Sequence, residues 1–270
     1  MIPEAYSQGD AFQAEKRTVF SSEWLPLCAE GQLAKTGDFL SATVGGWAVF
    51  GVRDKAGIIR VLRNACRHQN MQVVGAASGN CETFRCRFHG WTYDLQGRFL
   101  AAPPPVAPKD RQAADLHLVS LAVTVVAGLV FFSLANPATL PDLGDAPPAY
   151  GGTLATDIAC NWKVCVEHLL AEHSPTSDFT WTWPLVTVRH AGAMTIVEQI
   201  VPHTFLRTRL FTHVFGGAAD EHKPAAAFIK QACEHLQADR ASGAAAADRE
   251  LVAGFHSRLA EAYARDRATT

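Results

Sequence analysis

Between residues 18 and 135, apolar residues come in short runs broken by turn formers. The runs AVFGV (48–52), IIRVL (58–62) and TFRCRF (83–88) are separated by Gly37-Asp38, Gly45-Gly46, Asp54–Gly57, Gly75–Gly79 and Gly97. Short runs at this spacing predict a small antiparallel β-domain. The uncharged stretch Leu118–Ala135 reads as two buried strands joined near Ala127-Gly128, not as a membrane span. The proline-rich AAPPPVA (101–107) leaves the β-rich part, and the Pro/Gly-rich stretch 137–152 marks a domain boundary.

The pattern then changes. Asn161–His173 reads as a helix, with Trp162, Val166, Leu169 and Leu170 near helical spacing. Residues 183–214 suggest two strands, around TIVEQIV and FLRTRLFTHVF, with Pro202 in their connection. Pro224–Arg240 and Ala244–Arg265 read as helices, the second with a stripe of Leu251, Val252, Phe255 and Leu259. Strands followed by helices predict an α+β second domain. The expected division is 18–136 and 150–268.

Composition removes some classes. The chain has 270 residues, 48% of them hydrophobic, and a formal net charge of −2, which argues against a nucleic-acid surface. Residues 1–17 lack the apolar core of a signal peptide, so a cytoplasmic location is expected. Seven cysteines, an odd number in a chain this long, fit metal-binding thiolates in a reducing compartment better than a disulfide scaffold. Eleven histidines exceed what a core needs.

Two pairs carry the chemistry. Cys66-Arg67-His68 and Cys86-Arg87-Phe88-His89 each offer one thiolate and one imidazole, with 17 residues between the pairs. A zinc site of two Cys and two His would group like with like. Alternation instead suits a two-iron cluster with two thiolates on one iron and two imidazoles on the other, the Rieske arrangement.

The run from Trp24 through Gly37-Asp38, Asn64, CRH and CRFHGWTYDLQGRF to Pro103 resembles the Rieske domain of aromatic-ring-hydroxylating oxygenase large (alpha) subunits. Respiratory Rieske proteins carry an extra disulfide-forming Cys near each pair; here Met71 and Phe88 hold those places, and Cys81 has no evident partner. The resemblance implies an α+β chain: an antiparallel β Rieske domain, then a helix-grip catalytic domain with a mononuclear Fe(II) held by two His and a carboxylate. Such a facial triad leaves positions open for O₂.

Asn161-Trp162-Lys163 and Glu167 resemble the start of the family's ligand helix. His168 falls where the family commonly has an Asn near the iron, and His173 matches the first ligand if a gap is allowed. Residues 248–259 resemble the carboxylate-bearing helix, with His256 where a Gln is common. Asp248 also shares the stripe of Val252, Phe255 and Leu259, where an unpaired carboxylate is costly. The expected iron ligands are His168, His173 and Asp248. Glu172 is the expected acid bridging to a neighbouring subunit's cluster.

The resemblance further implies O₂ activation and hydroxylation, dihydroxylation or demethylation of an organic substrate. The chain has no GxGxxG fingerprint, so electrons would come from a separate NAD(P)H reductase, directly or through a ferredoxin. A trimer or a hetero-oligomer is expected. The second domain is shorter than the family's, with little sequence between His173 and the strand expected near Trp183-Pro184-Leu185. The alternative is therefore a non-catalytic companion subunit that holds the cluster and assembles with a full-length oxygenase subunit.

Overall fold

A computed structural model describes residues 3–108, 112–145, 147–173, 176, 178–246 and 249–269. Two short helices open it, α1 (Glu4–Ser7) and α2 (Gly9–Thr18). The β-rich part follows as β1 (Leu25–Ala29), β2 (Asp38–Val44), β3 (Trp47–Arg53), β4 (Ile59–Arg63), β5 (Ser78–Asn80), β6 (Phe84–Arg85), β7 (Thr92–Tyr93) and β8 (Phe99–Ala101). After α3 (Ala113–Leu116) come β9 (Ala122–Val126) and β10 (Leu129–Ser133).

These strands form three small antiparallel sheets, ordered β4-β3-β2-β5, β6-β7-β8 and β1-β10-β9. Two-residue turns set the tightest registers. Gly45-Gly46 joins Val44 to Trp47, and Ala127-Gly128 joins Val126 to Leu129, all four turn residues having positive φ. That geometry matches the right-handed twist of the flanking strands. The uncharged stretch is thus a hairpin, and among the described residues no helix is long and apolar enough to cross a membrane.

The second half is one five-stranded antiparallel sheet with helices. Its elements are β11 (Tyr150–Ile158), α4 (Trp162–Ala171), β12 (Phe179–Thr182), β13 (Val186–Ala191), β14 (Met194–Thr204), β15 (Arg207–Phe215), α5 (Lys223–Ala241) and α6 (Glu250–Thr269). The strand order is β11-β15-β14-β13-β12. The fold is therefore α+β with antiparallel sheets throughout, as expected.

Several sequence expectations shift. Four strands, not two, lie between residues 179 and 215, and Trp183-Pro184-Leu185 is the turn between β12 and β13. Pro202 sits inside β14, beside a register irregularity that spares it a ladder hydrogen bond. Gly79, expected in a turn, lies in β5 on the edge of its sheet. The last helix begins at Glu250, and Ala244–Ala246 lie ahead of it.

The helix expected over 161–173 ends at Ala171, leaving Glu172 as its cap. Every residue from Trp162 to Leu170 is buried, Lys163 and Glu167 included. Side-chain capping starts it: the Asn161 side-chain oxygen accepts from the Lys163 amide at 3.0 Å.

The buried charges of α4 meet the chain's first and last helices. Glu15 accepts from Lys163 Nζ at 2.5 Å, from Trp162 Nε1 at 2.6 Å and from Tyr263 at 2.5 Å. Glu167 accepts from Tyr6, from Arg240 Nε at 2.8 Å and from His256 Nε2 at 2.8 Å. Residues 4–18 thereby close over α4, α5 and α6. An aromatic chain Phe12–Phe20–Trp162–Phe255 fills the space between.

The halves are also joined by a polar chain. Gln199 Nε2 donates to the carbonyls of Pro26 and Leu27, both at 3.0 Å, so its Oε1 accepts from His213 Nε2 at 2.8 Å. His213 Nδ1 then accepts from the Thr153 hydroxyl at 2.7 Å. This fixes a neutral imidazole with its proton on Nε2. Burial holds its pKa down to about 3.

Candidate cluster and iron sites

The two Cys/His loops have one backbone design. The Cys66 N–H donates to the Met71 carbonyl at 2.8 Å, and the Asn70 N–H returns to the Cys66 carbonyl at 2.8 Å. In the second loop Cys86 donates to Trp91 at 2.8 Å, and Gly90 to Cys86 at 2.9 Å. Asn70 (φ 57°) and Gly90 (φ 71°) occupy the same left-handed position in their loops. Gly and Asn are the residues that enter this region most readily. Asn64 holds the first loop by donating to Val74 and accepting from the amides of Val73 and Val74.

Both loops present their donors to one place. Cys66 and Cys86 are buried, and each thiol lies within reach of the other's charge. The rings of His68 and His89 meet edge to face, centroids 4.6 Å apart. His68 also stacks on Trp91 at 5.1 Å and 16°, and Trp91 Nε1 is tied to the Val106 carbonyl at 2.9 Å. Burial, and then the neighbouring Cys86, push the Cys66 thiol up, so a metal is needed to hold it as thiolate.

Tyr93 completes the thiol side. Its oxygen accepts the Arg67 amide at 3.1 Å, and its hydroxyl lies 3.2 Å from Cys66 Sγ. Burial pushes the phenol up, so it stays protonated and can donate to a thiolate. The imidazole side faces outward. Phe88 is 44% exposed, and Arg85, Arg87, Phe88, His89, Pro103 and Pro105 line a shallow concavity of about 620 Å³.

The donor set discriminates between metals. Among the described residues, no three His, Cys, Asp or Glu side chains are placed to share one ion. Two neighbouring thiols and two neighbouring imidazoles, one of each from either loop, suit a cluster with two thiolates on one iron and two imidazoles on the other. No extra disulfide braces the loops: all seven cysteines are free thiols.

The region expected to hold a second iron is less complete. His168 is buried on the last turn of α4, its ring facing Phe228 with centroids 6.2 Å apart. His173 lies beyond the helix, stacked on Phe179 at 4.2 Å and 23°. Burial lowers the pKa of both, favouring neutral imidazole; Arg189 lowers His173 further, and the Glu172 carboxylate opposes it in both. Glu172 itself is exposed. Asp248 lies outside the described residues. His168, His173 and Glu172 thus share one end of α4 without forming a three-donor group among the described residues.

Comparison with known proteins separates the two halves. Residues 23–122 match the model of the Rieske [2Fe–2S] domain. The alpha subunit of benzene 1,2-dioxygenase from Pseudomonas putida is 39% identical over 195 residues, 65% of this chain and 43% of that protein. The oxygenase subunit of glycine betaine monooxygenase from Chromohalobacter salexigens is 32% identical over 178 residues, 65% of this chain and 38% of that protein. In fold, a quaternary ammonium Rieske monooxygenase superposes with a TM-score of 0.79 at 18% identity, covering 97% of this chain and 95% of that one.

The chain carries a Rieske [2Fe–2S] domain, and over 65% of its length it is similar to the alpha subunits of Rieske dioxygenases. It spans less than half the length of the curated dioxygenase subunits it matches, 42% and 43%. The likeness in fold nevertheless covers nearly all of it.

In this Rieske protein the motif Asn161-Trp162-Lys163 with Glu167 serves architecture: the cap starts α4, and the two charges anchor the terminal helices. His256 belongs to that network as a partner of Glu167. Sequence reasoning missed Tyr93, Trp91 and the paired left-handed positions. Their residues were within or beside the recognised motifs, but only the packing of the β6-β7-β8 sheet against the Cys66 loop puts Tyr93 beside Cys66.

Proposed function

We propose that this chain is an oxygenase component that receives electrons from a separate NAD(P)H reductase, directly or through a ferredoxin. It delivers them singly to a non-haem Fe(II) centre where O₂ is activated and an organic substrate hydroxylated. The paired loops Cys66–Met71 and Cys86–Trp91 carry the reading. Cys66 and Cys86 would bind one iron, and His68 and His89 the other. When bound, the cluster supplies one-electron transfer.

The surrounding residues set how that transfer works. Once Cys66 is a thiolate, Tyr93 would donate to its sulfur and favour the more negative reduced state. Trp91 fixes the plane of His68. Phe88, exposed beside the half-buried His89, would give electrons a short path to a docked chain. The test is EPR of the dithionite-reduced protein. A low average g-value, from mixed nitrogen and sulfur coordination, is expected; its absence rejects the cluster assignment.

Within this chain, His168, His173 and Asp248 are the proposed iron ligands. Glu172, exposed beside both imidazoles, is the proposed bridge to a neighbour's cluster ligand in a trimer. A second reading has its own support. Phe179 covers one face of His173, and Arg189 brings a positive charge near it, an unfavourable setting for a dication. In that reading the chain is a companion subunit, and the O₂-activating iron belongs to another subunit. Iron per chain decides: three supports an iron here, and two supports the companion.

A further inference from the structure

The helix-facing side of the second sheet carries an unexplained polar group. Thr187 and Arg189 alternate along β13, so they share a face, and Thr187 pairs with Glu198 on β14. Glu198 is 3% exposed and lies within range of Cys165 on α4. The Thr187 hydroxyl donates to its Oε2 at 2.7 Å. Its Oε1 is 4.0 Å from Arg189 Nη2, too far for a hydrogen bond. The charge of His222, at the end of the turn Ala219–His222, reaches Glu198 as that of Arg189 does.

Two atoms here are buried with no hydrogen-bond partner among the described residues: Arg189 Nε and His222 Nε2. An arginine Nε–H can only donate, so its unmet demand is for an acceptor. Leaving such a group unsatisfied costs about 1–3 kcal/mol. Each such group in a folded protein calls for an explanation, and here two act on one buried carboxyl.

We propose that Arg189, His222 and Glu198 form a binding site for a small monocarboxylate. One carboxylate oxygen would accept from the Arg189 Nε/Nη fork, and the other from His222 Nε2–H. Planar two-oxygen anions fit the guanidinium edge. Glu198 does not repel the ligand: burial raises its pKa and favours the neutral carboxyl, whose O–H can donate. A bridging water would satisfy one unmet donor but would not balance the guanidinium charge. The site borders His173, on which Arg189 acts, so carboxylic acids are the substrates to try first. The binding itself does not rest on the oxygenase reading, since no step involves iron.

The test is isothermal titration of the cluster-loaded full chain at fixed ionic strength. Sodium acetate and sodium benzoate are the probes, with acetamide and benzamide as uncharged isosteres. One-to-one saturable binding is expected for at least one carboxylate, at least tenfold weaker for its amide. Arg189→Gln and His222→Ala should each weaken it at least tenfold while leaving the far-UV spectrum unchanged. If Arg189→Gln does not fold, His222→Ala on its short turn carries the test. Heats that do not saturate, equal binding of acid and amide, or wild-type affinity in the folded variants would overturn the proposal. Loss of the cluster signal would count against the oxygenase reading and leave the isotherms interpretable.

Discussion

The hydroxyl of Tyr93 lies 3.2 Å from the sulfur of Cys66 while its oxygen is held by the Arg67 amide. The phenol is therefore fixed from behind and directed at the thiol. A hydrogen bond to sulfur favours the reduced cluster, which carries one more negative charge. Tyr93→Phe should lower the cluster potential. A differential of about 1 kcal/mol corresponds to roughly 40 mV for a one-electron couple. Spectroelectrochemical titration checks this, and an unchanged potential would show that the contact does not reach the cluster.

The left-handed residues of the loops should differ in tolerance. A Cβ on Gly90 would approach Pro103 Cγ to 3.1 Å and Arg85 Nη2 to 3.3 Å, at φ +71°. The conformation alone costs a non-glycine residue about 1–2 kcal/mol. Gly90→Ala should bleach at lower temperature and purify with less iron. Asn70→Gly should keep its cluster. Visible absorbance during thermal unfolding compares the two directly.

The Glu15–Lys163 pair is fully buried, and Glu15 accepts two further hydrogen bonds, from Trp162 and Tyr263. Removing one partner leaves a charge without compensation. Glu15→Ala or Lys163→Ala should destabilise the fold by about 3–5 kcal/mol. Lys163→Met with Glu15→Gln should recover part of that loss. Urea denaturation followed by tryptophan fluorescence gives the numbers. Equal stability of single and double variants would show that the pair is not coupled.

His213 makes the fold acid-sensitive well above the carboxylate range. Folded, it stays neutral down to about pH 3; unfolded, it takes a proton near its ordinary pKa of about 6.5. Between those values the unfolded state binds more protons, so stability falls as pH falls. At pH 5 the loss relative to neutral pH is about 2 kcal/mol. His213→Gln, which cannot titrate, should flatten the stability profile between pH 7 and pH 5. A slope identical to wild type would assign the effect elsewhere.

The stacking of His173 on Phe179 also has a measurable consequence. If an iron binds at His173, nitric oxide added to the ferrous protein should give a high-spin EPR signal that His173→Ala removes. If the chain is a companion, no such signal appears and iron stays at two per chain. The same sample reports the reduced cluster, so the two centres are read separately.

Much of this was legible in the chain. The alternating Cys/His order separated the Rieske arrangement from zinc, because ligand type and order follow from which iron takes which donor. Turn pairs at Gly45-Gly46 and Ala127-Gly128 marked their hairpins, since few residues accept two successive positive φ values. The second half read less well. Short strands without a strict alternation of apolar and polar residues leave little periodic signal, so β14 and β15 were read but β12 and β13 were not resolved. Ala244–Ala246 were read as helix from their alanines, but propensity alone did not start α6 there.

The residues of Asn161-Trp162-Lys163 and Glu167 pointed to a ligand helix, and the chain does place a helix there. What the local sequence could not say is which way its charges face. That depended on Glu15 and Tyr6, about 150 residues earlier, and on Arg240 and His256 far downstream.

The sequence by itself determined which four Cys and His side chains two short loops bring together, because local spacing and turn chemistry specify them. Only the tertiary structure decided what surrounds them and what the second half presents. Tyr93 beside a thiol, Phe179 over an imidazole, and Arg189 and His222 about a buried acid are contacts between distant segments. Packing creates such contacts, and no local pattern in the chain encodes them.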